Sequence, residues 1–65
     1  MPSSVVAAIR YDDKTSKLRV IFQSGNIYDY LKVPIKVYDE MKKASSKGEF
    51  LNKEIKPNYE FEKIR

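Results

Sequence analysis

Apolar and polar positions alternate with a period of two in the first half of the chain and recur at helical spacing after Pro34. In Lys17 to Gln23, KLRVIFQ, Leu18, Val20 and Phe22 alternate with Lys17, Arg19 and Gln23, as in a half-buried strand; only Ile21 breaks the polar side. Before it, Ser3 to Tyr11 is rich in Val, Ala and Ile and ends in the turn-like Asp12-Asp13-Lys14-Thr15. Ser24-Gly25-Asn26 is a hairpin signal, because Gly and Asn tolerate positive φ, and Ile27 to Leu31 returns as a third strand. Val33-Pro34 ends the sheet, and proline suits the start of a helix because its missing N–H has no partner there anyway. Val37, Tyr38, Met41 and Ala44 then fall on one helical face. Ser46-Lys47-Gly48-Glu49 has the S-x-x-E form of a capping box and opens a second helix through about Ile55, stopped by Pro57-Asn58. Tyr59 to Glu62 alternates like a short edge strand. The prediction is one α+β domain over residues 1–65: a three-stranded antiparallel meander, two helices and an optional C-terminal strand.

The hairpin register decides which way Tyr28 and Tyr30 point. A two-residue loop at Ser24-Gly25 pairs Val20 with Asp29 and sets an unpaired charge among apolar residues, which is costly. A three-residue loop, Ser24 to Asn26, sets Phe22 opposite Tyr28 and Val20 opposite Tyr30, pairs worth about 0.2–1 kcal/mol each. The three-residue loop is therefore expected. It turns both tyrosines to the main core with their hydroxyls at its rim, and stacking on nucleobases is the competing use of such rings. Asp29 then faces outward beside Arg19 or Ile21. The opposite face carries Val6, Ile21, Ile27 and Leu31 among charged residues, an apolar set that the C-terminal segment or a second subunit would cover.

Size sharpens that point. A chain of 65 residues buries a marginal core, and small scaffolds usually need a disulfide, a metal or a partner subunit. There is no cysteine and no histidine, so disulfides, thiolate metal sites and histidine acid/base chemistry are excluded. Good packing or a two-fold homodimer through the Val6, Ile21, Ile27 and Leu31 face remains. No apolar run is long enough to span a bilayer and MPSSVVAAIR has no basic n-region, so a cytoplasmic protein with no membrane partner is expected.

The net charge is +4, and the second half concentrates Lys42, Lys43, Lys47, Lys53 and Lys56. Such a charge permits a polyanionic partner without demanding one; a solvated face that serves solubility is the favoured reading of these lysines, and Lys42 and Lys43 also complement the dipole at the end of the first helix. Ser46, Lys47 and Gly48 form the sharper candidate, because a helix N-terminus offers N–H groups to a phosphate. The plainer reading is a helix cap, and Glu49 repels an anion there. Nucleophilic use of a serine needs an adjacent base, which without histidine leaves only a lysine or a carboxylate, and turn chemistry accounts for Asp12-Asp13. A non-enzyme without cofactor or metal is expected.

Taken together, Leu18-x-Val20-x-Phe22-x-x-Gly25-x-x-Tyr28-x-Tyr30-x-x-Val33-Pro34, Tyr38, Ala44-x-Ser46-x-Gly48-x-Phe50, Asn52, Ile55 and Tyr59 resemble the KTSC domain. That family is named for its occurrence at the C-terminus of some lysyl-tRNA synthetases, and its mark is the central YxY, here Tyr28 and Tyr30. The resemblance implies an α+β domain of about this length and suggests RNA binding. The leading expectation is a small binding module for RNA or another nucleic acid. A protein-interaction domain acting through its sheet face is the alternative.

Overall fold

The computed structural model describes residues 6–65. Strands β1 (Val6–Asp12), β2 (Lys17–Phe22), β3 (Ile27–Tyr30) and β4 (Phe61–Lys63) form one antiparallel sheet in that order. Between β3 and β4 the chain leaves the sheet to form α1 (Ile35–Lys43) and α2 (Lys47–Phe50), which runs on into a π-helical segment (Leu51–Ile55). Meander, helices and short final strand are the α+β arrangement expected. The expected start of the first strand, at Ser3, lies outside the described residues.

Period-two alternation gives the sheet one apolar face. Leu18, Val20 and Tyr30 are buried on it and join Val33, Met41, Leu51 and Ile55 in a single core. Each such aliphatic side chain contributes about 1.5–3 kcal/mol when fully buried. The core is thus one sheet face under one helical layer. The linker into α1 is clamped to it: the Val33 N–H donates to the Ser16 carbonyl at 2.8 Å, and the Tyr11 hydroxyl donates to the Val33 carbonyl at 2.7 Å. At the far end, Pro57 cannot continue an α-turn without pressing its ring on the carbonyl four residues back. The preceding turn is wide, with the Lys56 N–H donating to the Leu51 carbonyl at 2.9 Å.

Three expectations need correction. The hairpin loop is Gln23-Ser24-Gly25, one residue earlier than expected. Gly25 takes φ +98° and its N–H donates to the Phe22 carbonyl, while the Phe22 N–H donates to the Asn26 carbonyl, each at 2.9 Å. This is a turn closed by a glycine bulge. Tyr28 therefore opposes Val20 and Tyr30 opposes Leu18, a shift of two that keeps both rings on the expected face.

Val6 does not belong to the outer face. The pairing slips between Val6 and Ala8, so Val6 opposes Phe22, turns inward and is 8% exposed in the core. A β-bulge of this kind reverses the alternation that placed it outside.

The C-terminal segment does not fold over the outer face. It lies beside β3 as the fourth strand, with Tyr30 opposite Phe61 and Asp29 opposite Glu62.

Candidate functional site

On the helical side of the sheet, at the hairpin end, Phe22, Tyr28, Tyr30 and Phe61 line a cleft of about 510 Å³ with Ser24, Asn26 and Lys56. Three elements build it. The β2–β3 hairpin supplies Phe22 and the two tyrosines, β4 supplies Phe61, and the turn after the π-helical segment supplies Lys56. The rings meet at angles: Phe22 and Tyr28 stand edge-to-face at 5.4 Å and 85°, and Tyr28 and Phe61 are 5.3 Å apart at 50°. Phe61 also lies 5.7 Å from Tyr30.

The two tyrosines have different roles here. Tyr30 is the floor, 2% exposed, and its hydroxyl titrates above the ordinary tyrosine value, first because burial penalises the phenolate and then because of nearby Tyr28. Tyr28 is only half-buried and forms a wall. Phe61 is 55% exposed, a large ring left wet on an edge strand.

The lysines fall into separate places. Lys42 and Lys43 end α1, and the Lys47 ammonium donates to the Lys42 carbonyl at 3.5 Å, which brings these three to the α1–α2 junction. Lys42 is engaged there, 3.5 Å from the Asp39 carboxylate and 4.9 Å from the Tyr38 ring centroid. Lys53 borders a shallower depression together with Ser46, Glu49 and Glu54, and the carboxylates offset its charge. Lys56 stands apart at the aromatic cleft.

At Ser46-Lys47-Gly48 the local geometry is that of a helix cap, the plainer of the two readings of the sequence. The Ser46 hydroxyl oxygen accepts the Glu49 N–H at 3.2 Å, and Gly48 is buried. Ser46 acts as the helix cap.

On the outer face of the sheet, Arg10, Arg19, Asp29 and Glu62 stand in one cross-strand row. Asp29 is 5% exposed and accepts from the Arg19 guanidinium at 2.8 and 3.1 Å, and this hydrogen-bonded pairing raises the Arg19 pKa. Lys17 lies 3.6 Å from Glu62. Arg10, Lys17 and Arg19 are thus matched in number by Asp12, Asp29 and Glu62, and the net excess of positive charge lies elsewhere on the molecule.

Sequence reasoning missed the cleft. The alternation places Phe22 on the core face and Phe61 in a short edge strand, and nothing local joins positions so far apart. The alternation of Tyr59-Glu60-Phe61-Glu62 was the only hint that Phe61 would return to a sheet face.

Comparison with known proteins gives a consistent picture. The family model of the KTSC domain matches residues 2–59. Lysine–tRNA ligases of Nostoc punctiforme and of a second Nostoc strain are each 41% identical over 61 residues, covering 94% of this chain and 11% of theirs. The chain therefore spans about a ninth of the length of those relatives. A protein of Tsukamurella paurometabola is 37% identical over 57 residues, covering 88% of this chain and 85% of its own. The crystal structure of a KTSC domain protein from Yersinia pestis superposes with a TM-score of 0.90 at 32% identity, covering 100% of this chain and 92% of that one. With this sheet order, this YxY at Tyr28 and Tyr30 and these matches along nearly its whole length, the chain belongs to the KTSC domain family.

Proposed function

We propose that this domain is a small, non-enzymatic, cytoplasmic module that binds nucleic acid, with RNA the favoured class. The observation that carries the reading is the charge distribution: the outer sheet face is balanced, while Lys42, Lys43 and Lys47 converge at the α1–α2 junction. Cations gathered on one side of a small domain suit a phosphate backbone. The relatives named as lysine–tRNA ligases carry this domain as a small part of an enzyme whose name includes an RNA substrate, which supports RNA over DNA. The chain itself has neither histidine nor cysteine, so the usual catalytic bases and nucleophiles are few.

The test is a titration of a labelled single-stranded RNA and of an RNA duplex at low and moderate salt. Affinity should fall steeply with salt, in proportion to the phosphates neutralised. Replacing Lys42, Lys43 and Lys47 together by glutamine should weaken binding and flatten that dependence. Absence of binding to either probe at low salt removes the reading.

A protein-interaction domain is the second reading. It is favoured by one observation: Ile21, Ile27 and Leu31 on the outer face of the sheet are only half-buried. Co-purified protein with no retained nucleic acid, judged from the 260/280 nm absorbance ratio, supports it over the first.

A further inference from the structure

We infer that the cleft between the β2–β3 hairpin tip and β4 takes a single unstacked nucleobase, with Phe61 and Tyr28 as its stacking walls and Lys56 at the adjoining phosphate. The inference rests on the nucleic-acid reading and adds to it a site that the lysine cluster does not include. Four observations carry it.

The first is shape. The cleft holds about 510 Å³, and aromatic rings form most of its wall. The second is exposure. A folded domain has every reason to bury a phenylalanine, yet Phe61 stays 55% exposed while its neighbour Tyr30 is sealed beneath it. The third is ring orientation. Phe22 meets Tyr28 edge-on at 85°, and Tyr28 meets Phe61 at 50°, so neither pair is stacked face to face and ring faces remain for a flat guest. The fourth is polarity and charge. Ser24 and Asn26 offer a hydroxyl and an amide at the mouth, and among the described residues neither side chain is tied to a protein partner. An amide can pair with the edge of a base. Among the described residues, Lys56 borders the cleft and no carboxylate does, and Lys63 stands opposite Tyr28 on the same sheet face.

A flat, hydrogen-bonding ring attached to an anion satisfies all four features. An aliphatic or acidic side chain satisfies only some of them. A duplex keeps its bases stacked, so the cleft selects single-stranded over double-stranded probes.

The experiment compares the wild type with Phe61→Ala, Phe61→Tyr and Lys56→Gln against a labelled single-stranded hexanucleotide of uridine or adenosine and against an RNA duplex. Chemical denaturation checks that each variant is folded. Phe61→Ala should weaken hexanucleotide binding by roughly 5- to 150-fold, the loss expected of one base–aromatic stack, with the salt dependence unchanged. Phe61→Tyr should keep most of the affinity, and duplex binding should be indifferent to both. Lys56→Gln should reduce the salt dependence by about one phosphate.

Equal hexanucleotide affinity for wild type and Phe61→Ala overturns the cleft while leaving the lysine-based reading in place. If the wild type binds neither oligonucleotide at low salt, the general reading falls, and uridine and adenosine monophosphate judge the cleft alone. Shifts of the Asn26 and Tyr28 amide resonances on adding either nucleotide then support it as a mononucleotide pocket, and unmoved resonances overturn it too.

Discussion

A side chain that forms a ligand site should be dispensable to the fold, and Phe61 tests this against Leu18. Phe61 is 55% exposed, so it keeps a little under half of the burial energy of a phenylalanine, about 1 kcal/mol. Its two tilted ring contacts, at 5.3 and 5.7 Å, lie at a wet edge, and the lower end of the usual range gives about 0.5 kcal/mol each. Phe61→Ala should therefore cost about 2 kcal/mol. Leu18 is 0% exposed at the centre of the core, and Leu18→Ala leaves a cavity that costs about 2–5 kcal/mol, with the upper half expected where sheet and helices both hold the walls apart. A domain of 65 residues has roughly 3–10 kcal/mol to lose. The first variant should stay folded with a melting temperature lower by about 8–16 °C, and the second should sit near unfolding at room temperature. Urea titrations followed by far-ultraviolet circular dichroism and tyrosine emission measure both, with equal m-values needed for the comparison. If Phe61→Ala costs as much as Leu18→Ala, β4 is a structural keystone, and Phe61 has no surplus exposure to offer a ligand.

Two further predictions follow from the tyrosine floor and the outer face. Burial holds the Tyr30 pKa above its unfolded value, so the stability it contributes is fully present below about pH 10 and is lost as pH rises through the folded pKa. Absorbance at 295 nm should show a component titrating above the ordinary tyrosine range that Tyr30→Phe removes along with part of the alkaline loss of stability; an unchanged titration refutes the assignment. With Val6 turned into the core and a balanced row of charges crossing the outer face, we expect light scattering to give a monomer near 7.6 kDa across micromolar concentrations. A dimer that Ile21→Lys splits restores the sheet face as an interface.

What could be read from the pattern, and what could not, follows from the physics of a period of two. Alternation encodes which face a side chain takes, so Leu18, Val20, Phe22, Tyr28 and Tyr30 were assignable together, and the switch to helical spacing after Pro34 located the second layer. It does not encode which residue stands opposite which, because a slide of two positions leaves every face unchanged. The loop was misplaced in that way: the bulge needs its positive φ at Gly25, one residue before the expected end of the loop, and Tyr28 moved from Phe22 to Val20. A bulge is worse than a slide, since one extra residue inverts parity, and Val6 crossed to the core without any mark in VVAAIR. The aromatic cleft depends on these silent quantities. In the expected register Phe22 and Tyr28 are direct neighbours; in the observed one they are diagonal and meet edge-on. The edge-on meeting of these rings follows from a slide that the sequence pattern is unable to record. Gly25 therefore does more than close a turn: through the register it sets, it decides whether Tyr28 meets Phe22 as a direct cross-strand neighbour or edge-on across the diagonal, with Phe61 on its other flank.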